Sequence, residues 1–232
     1  MIALQKKDEY VASLLTGDSA LSGDKRHALL SRGFNPTAAA GVQTAALDAA
    51  NAGVDVAYKH MREAFPGETG WSGFAQVTGS TMTFGGSRAA LETKTKLGGV
   101  AAGGEYRTAD FVAGAVALAG TGDVKGRGVN SDVTNDVDYY GLEMFAAKTV
   151  GNFSWGGIVG WTTSENDVKA DGAAWKTDAQ VLTLGARVEY RHALSDDWTL
   201  LPYAGLNWHR VKTDGVETRE GWRSSKVEQD LF

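Results

Sequence analysis

The feature that most limits what this chain can become is a period-two alternation running, with interruptions, from Gly70 to the C-terminus. Seven segments carry it: WSGFAQV from Trp71, KLGGVAAGGEYR from Lys96, FVAGAVALAG from Phe111, YYGLEMFAAKTV from Tyr139, FSWGGIVGWTT from Phe153, VLTLGARVEYRH from Val181 and WTLLPYAGLNWHRV from Trp198. Successive side chains of a strand point to opposite faces, so each segment reads as a strand with two different sides. Most run ten to fourteen residues. Ordinary strands run about 5–6, whereas a tilted strand crossing a bilayer needs ~9–11. The connections alternate in length without exception. Short ones stand at Thr108–Asp110, at Gly151–Asn152 and in ALSDD. Long ones are TGSTMTFGGSRAALETKT, TGDVKGRGVNSDVTNDVD, SENDVKADGAAWKTDAQ and KTDGVETREGWRSSKVEQ. An antiparallel up-and-down barrel in an outer membrane is built this way, with short turns at one end and long loops at the other.

The two faces carry the same message. In the sixth segment Leu182, Leu184, Ala186, Val188 and Tyr190 share one side, and Thr183, Gly185, Arg187, Glu189 and Arg191 the other. That strand alone fits either a soluble sheet with its apolar side inward or a membrane barrel with its apolar side outward. The aromatics separate the two. With strand direction fixed by alternation, Tyr106, Phe153, Trp155, Tyr190 and Trp198 fall at the short-turn end, and Tyr140, Trp161 and Trp208 at the long-loop end. All eight lie on the apolar side of their strands, the pattern of aromatic girdles flanking a lipid-facing band. Glu105, Arg107, Glu143, Arg187, Glu189 and Arg191 would then face the lumen. Charges in a narrow lumen need partners or water, because an unpaired buried charge is costly.

Composition removes several function classes. The 232 residues include no cysteine, which excludes disulfides, thiolate metal ligands and a cysteine nucleophile. A net charge of −5 gives no basic footprint for nucleic acid. Thirty glycines, about 13 %, stand beside 22 aromatic residues, so the chain has material to bury and is no flexible filler. The four histidines, His27, His60, His192 and His209, show no metal-ligand spacing. The first residues, MIALQKKDEYVASLL, are too charged for a secretory signal.

Ahead of the strands lie residues that read as helical. Ser22 and Gly33 bracket one short helix. Asn35, as N-cap, followed by Pro36, opens a second that runs to the Pro66-Gly67 break. This helix of roughly 43 Å is mostly alanine on its apolar side, smooth and thin enough for a confined space. Asp48, Asp55, Lys59 and Arg62 are its candidate charge partners for a barrel lumen.

The Ala-rich helix of residues 36–65, the GWSGFAQV opening strand, the Gly-rich second strand ending GGEYR, and the later YYGLEMFAAKTV and LLPYAGLNWHRV together resemble the translocator domain of autotransporters, the type V secretion system. The resemblance implies three parts: residues 1–34 as a passenger-to-barrel junction, 35–66 as a helix inside the pore, and 67–232 as a β-barrel in the outer membrane. It implies export of an upstream passenger to the cell surface, without ATP, by a monomer that relies on the barrel-assembly machinery and periplasmic chaperones. No enzymatic activity and no cofactor is implied. The family's barrel has twelve strands, and this chain supplies seven plus the start of an eighth at EQDLF. The expectation is therefore a fragment lacking passenger, signal and several strands. Terminal Phe232 resembles the closing aromatic of outer-membrane proteins, but Glu228 and Asp230 occupy positions that should be apolar beside it.

Other motifs weigh less. GDSALS at Gly17 and the nearby Asp24 to His27 pair resemble a serine-hydrolase signature, but that fold needs the two far apart in sequence. Asn51 is the single mid-helix asparagine at which passenger cleavage inside the barrel could occur, and its context fits poorly. His209 and Asp214 give at most a hint of a surface hydrolase. The main alternative is a stand-alone porin or adhesin-like barrel, which has no reason for so much helix ahead of its first strand.

Overall fold

The computed structural model describes residues 40–62, 69–84, 92–128, 131–170, 173–195, 198–217, 223–224 and 226–232. Among the described residues one helix, α1 (Val42–Arg62), precedes eight strands of a single antiparallel sheet: β1 (Gly70–Phe84), β2 (Thr93–Arg107), β3 (Phe111–Gly126), β4 (Thr134–Val150), β5 (Phe153–Ala170), β6 (Ala173–Tyr190), β7 (Tyr203–Thr213) and β8 (Val227–Leu231). Each strand pairs with the next in sequence, the up-and-down order that the alternating connections imply. Two-residue ribbons, His192–Ala193 with Thr199–Leu200 and Val216–Glu217 with Arg223–Ser224, decorate the two ends. The candidate junction in residues 1–34, with the GDSALS and Asp24–His27 motifs, lies outside the described residues, as do the ends of the 36–65 helix.

The strands are taller than the sequence suggests. β4, β5 and β6 run 17, 18 and 18 residues. Pairing between β5 and β6 is continuous from Phe153↔Tyr190 to Ala170↔Ala173, so only residues 171–172 separate these strands, whereas residues 191–202 separate β6 from β7, and the expected alternation of short and long connections fails here. Segments that read as long loops, SENDVKADGAAWKTDAQ above all, are therefore mostly strand. Their polar residues mimic loop composition because they line a wet outer face, while Val168, Ala170 and Ala179 keep a buried inner one. The seventh segment is shorter than expected. β7 begins at Tyr203, and Trp198 lies ahead of it beside a ribbon.

The sheet wraps around α1, which touches seven of its strands, β1 to β7. Strands lie about 4.8 Å apart, so a flat sheet of that width would span ~29 Å and no single helix could reach across it. The helix can sit so close because its buried side is small: Ala45, Ala46, Ala49, Ala50, Gly53 and Ala57. It starts at Gly41, whose φ of +65° is readily adopted only by residues without a Cβ, and whose carbonyl accepts bonds from the Ala45 N–H and the Thr44 hydroxyl. Among the described residues no helix is long and apolar enough to cross a membrane.

The inner wall is sculpted to match. Tyr139 lies across Gly99 and Gly120, Phe74 across Gly103, and Phe145 across Gly114, each in space that a Cβ would fill. Three apolar clusters join helix to wall. At the N-terminal end of α1, Val42, Ala46 and Ala50 meet Val133, Val168, Val181 and Val211. In the middle Ala45, Ala49 and Val56 meet Leu97, Val116, Leu118 and Tyr139. At the C-terminal end Val54, Ala57 and Met61 meet Val112, Phe145 and Ile158. Because Glu105 and Glu189 stand at the short-turn ends of β2 and β6, the contacts of His60 and Arg62 fix the helix direction. Its C-terminus lies at the short-turn end and its N-terminus at the long-loop end.

Among the described residues no pairing closes β1 onto β8, and the sheet has two edges. β8 meets β7 only from Val227↔Thr213 to Leu231↔His209. This resolves the odd alternation at the C-terminus. Glu228 and Asp230 lie beyond the long-loop aromatics and pair with Lys212 and Arg210, so Phe232 comes level with Trp208 and not with the short-turn end.

Candidate functional site: the channel around the helix

The charged inner residues gather at the C-terminal turn of α1. Glu105 is buried and sits at the centre of the tighter group. Its Oε1 accepts from Arg107 Nε at 2.7 Å and from the Ser72 hydroxyl at 3.1 Å. Its Oε2 accepts from His60 Nδ1 at 3.1 Å. Arg107 Nη2 also donates to the His60 carbonyl at 3.2 Å. That carbonyl belongs to the last helical turn, where backbone acceptors lack intrahelical donors and cations are favoured. The His60 ring stacks on Phe74 with centroids 3.6 Å apart, which fixes its plane.

A looser group faces it from β6 and β7. Glu189 is buried, with Arg187 Nη2 at 3.3 Å and Arg62 Nε at 3.7 Å from its Oε2. These are ion pairs without hydrogen-bond geometry, and the Arg187 guanidinium packs instead on the Tyr203 ring, 3.8 Å from its centroid. Tyr58 donates to Asn207 Oδ1 at 2.5 Å beside them.

Glu143 stands apart. It is fully buried in a slot between Gly53 of the helix and Gly160 of β5, where any Cβ would collide with its side chain. Neither of its carboxyl oxygens has a hydrogen-bond partner. Arg191, expected inward with the others, lies one residue past β6 and is half-buried, its backbone N–H bonded to the Asn152 carbonyl.

Among the described residues, Arg62 is the one of the four proposed helix charges that forms an ion pair with the wall. Asp48 accepts from the Ser80 hydroxyl at 2.5 Å and Lys59 donates to Gln76 at 3.3 Å. With Asn51 and Asp55 these line a groove of about 300 Å³ between α1 and β1, on the open side of the sheet. His60, Tyr58, Tyr203 and Asn207 escape a reading by alternation. The signal for His60 was its place one turn from the helix end, among Lys59 and Arg62. His209, inward, is hydrogen-bonded through Nδ1 to Thr183 Oγ1 at 3.0 Å.

The expected girdle residues occupy two levels on the outer face. Tyr106, Phe153, Trp155 and Tyr190 are exposed near the short turns, with Trp198 beyond them, and Tyr140 and Trp161 are exposed toward the long-loop end, their rings 6.2 Å apart. Trp208 is half-buried beneath Arg210. Trp71 and Phe111 join the lower level unforeseen, Trp71 with its ring 5.3 Å from that of Tyr106. Between the levels Val100, Leu142, Met144, Val159, Leu184 and Val188 are exposed, an apolar outer band far larger than the patches of soluble monomers.

Comparison with known proteins agrees with this geometry. A family model, the autotransporter beta-domain, matches residues 73–230. Among solved structures, the translocator domain of the autotransporter NalP from Neisseria meningitidis is similar, with a TM-score of 0.72 and 16 % identity, covering 84 % of this chain and 69 % of that one. At that identity the likeness speaks for the fold. The outer membrane transporter YddB from Escherichia coli gives a TM-score of only 0.34 at 11 % identity, over 69 % of this chain and 28 % of its own, and nothing is argued from it. No curated protein sequence matches. With an outward apolar band, an up-and-down sheet wrapped on a helix and a family model covering most of its length, the chain belongs to the autotransporter beta-domain family.

Proposed function

We propose that α1 is the last stretch of an exported polypeptide, lying in the lumen with its upstream end at the cell surface. Family membership makes the chain an outer-membrane translocator domain, serving the export of a passenger. The observation that carries the finer reading is the direction of the helix. Its C-terminus joins the short-turn end and its N-terminus reaches the long-loop end, the side where the passenger belongs. In this reading residues 1–34 are the junction to the passenger, 35–66 the pore segment and 67–232 the barrel. The outer aromatics form the two girdles, and Glu105, Arg107, Glu143, Arg187 and Glu189 line the lumen. The domain acts as an anchor and conduit and not as an enzyme. Its partners are the bilayer and, by family, the barrel-assembly machinery and periplasmic chaperones.

An epitope inserted in residues 1–34 tests this in intact Gram-negative cells expressing the chain behind a signal peptide. Antibody should reach it there, and should reach a second epitope at Gly151–Asn152 only after the outer membrane is broken. The opposite accessibility would overturn the reading.

A further inference from the structure

We infer that the Glu105–Arg107 pair of β2 and the Arg187–Glu189 pair of β6 are positioning residues for the pore helix, a two-sided latch that closes on its last turn. This rests on the reading of α1 as a pore segment. The two pairs mirror each other, Glu-Tyr-Arg on one strand and Arg-Val-Glu on the other, each presenting one buried carboxylate and one arginine inward. Each carboxylate is shared between its wall arginine and one side chain of the helix, His60 for Glu105 and Arg62 for Glu189. Elsewhere among the described residues the helix meets the wall through apolar packing, through buried Glu143 against Gly53, through the Arg187 guanidinium over the Tyr58 ring, and through hydrogen bonds to uncharged Ser80, Gln76 and Asn207. Smooth alanine packing resists axial sliding poorly, because small side chains offer shallow interdigitation. The charged turn supplies the missing register. On the β2 side, Arg107 holds the helix backbone itself through the His60 carbonyl, so that side fixes height, while the stacked Arg187 and looser Glu189 fix rotation.

Removing Glu189 leaves Arg187 and Arg62 with nothing between them, and removing Glu105 takes from His60 and Arg107 the acceptor they share. Either way the last turn loses its hold on the wall, and the helix gains freedom to slide. The two sides differ in exposure. The His60 and Glu105 side chains are 9 % and 4 % accessible, whereas Arg62 is 46 % accessible. Salt therefore weakens the β6 side far more than the β2 side.

The chain has no cysteine, so a single Ala49→Cys, buried between helix and wall, reports seating through its rate of reaction with a membrane-impermeant thiol reagent in lipid vesicles. Arg62→Glu should speed labelling by about fivefold or more, and Glu105→Ala by about tenfold, the scale of one lost charge-assisted contact. Adding Glu189→Arg to Arg62→Glu puts a carboxylate back between two arginines and should return the rate to within about twofold of the parent, a rescue that a folding defect cannot give. Unchanged rates in the single variants, or no rescue by the swap, would overturn the latch. A Val100→Cys reporter on the outer band separates the two ideas. Its labelling in vesicles as fast as in detergent would sink the membrane reading, while its protection with unchanged Ala49→Cys rates would sink only the latch.

Discussion

The lower and upper halves of the same strands obey opposite rules. In the lower half, toward the short turns, β4 to β6 point Met144, Val159 and Leu184 outward and Glu143, Arg187 and Glu189 inward. Beyond Tyr140 and Trp161 the pattern inverts. Asp136, Asp138, Glu165, Asp167, Lys176 and Asp178 point outward, while Val137, Val168, Ala179 and Val181 point inward. The backbone does not change, only its surroundings do. Where the outside is hydrocarbon, charge belongs inside; where the outside is water, charge moves outward and the inner wall turns to valine and alanine beside uncharged, hydrogen-bonded Asn135, Asn166 and Ser164. The inversion locates the membrane's upper boundary on the strands, and the surface end of the helix is sealed by the same kind of packing that holds a soluble protein together.

Breaking the rule where it is strictest should cost most. Met144→Arg, in the middle of the outer band, should destabilise the barrel by roughly 2–4 kcal/mol in urea titrations in lipid vesicles. Asp138→Arg, one strand face higher, should cost almost nothing in the same assay, and an equal cost at both sites would erase the boundary drawn here. Next comes the dry end of the channel. Val168→Ala removes two buried methyl groups from the cluster around the helix N-terminus and should cost about 2 kcal/mol. A near-neutral result would mean that the upper core is wet. Ser80→Ala takes the hydrogen bond from Asp48 and should cost about 1 kcal/mol, most of it from the carboxylate left unsatisfied. The smallest effect concerns the outer rows above the boundary. Asp123, Asp136 and Asp167 stand directly opposite one another on adjacent strands, and Asp138, Glu165 and Asp178 form a second row. Facing like charges destabilise a sheet, so Asp136→Asn should stabilise by roughly 0.2–1 kcal/mol at low salt, with the gain fading as salt rises.

How far sequence reading carried depended on whether the pattern was local. Outward aromatics such as Trp155 and Trp161, and inward charges such as Arg187 and Glu189, follow from counting every second residue, and the coordinates place them on opposite faces of their strands. The tops of the strands were misread as loops because Asp, Lys, Asn and Thr have loop composition, and only pairing such as Asp167↔Lys176 reveals a ladder. The clamp on the helix was half legible. Glu105 and Arg107 were evident as inward charges, but no periodicity links them to His60, forty-five residues earlier. Glu143 was placed inward, while its glycine slot depends on Gly53 and Gly160, which meet only when sheet and helix close together.

By itself the sequence determined the period of the strands, the sidedness of each, their up-and-down order and a slim helix ahead of them, because all of these are set by the geometry of one element and the solvent on each of its faces. Tertiary structure alone decided the height at which water replaces hydrocarbon, which wall residues hold the last turn of the helix, and how β8 meets β7. Those depend on register between distant segments, and a shift of one residue would send every side chain of a strand to the other face.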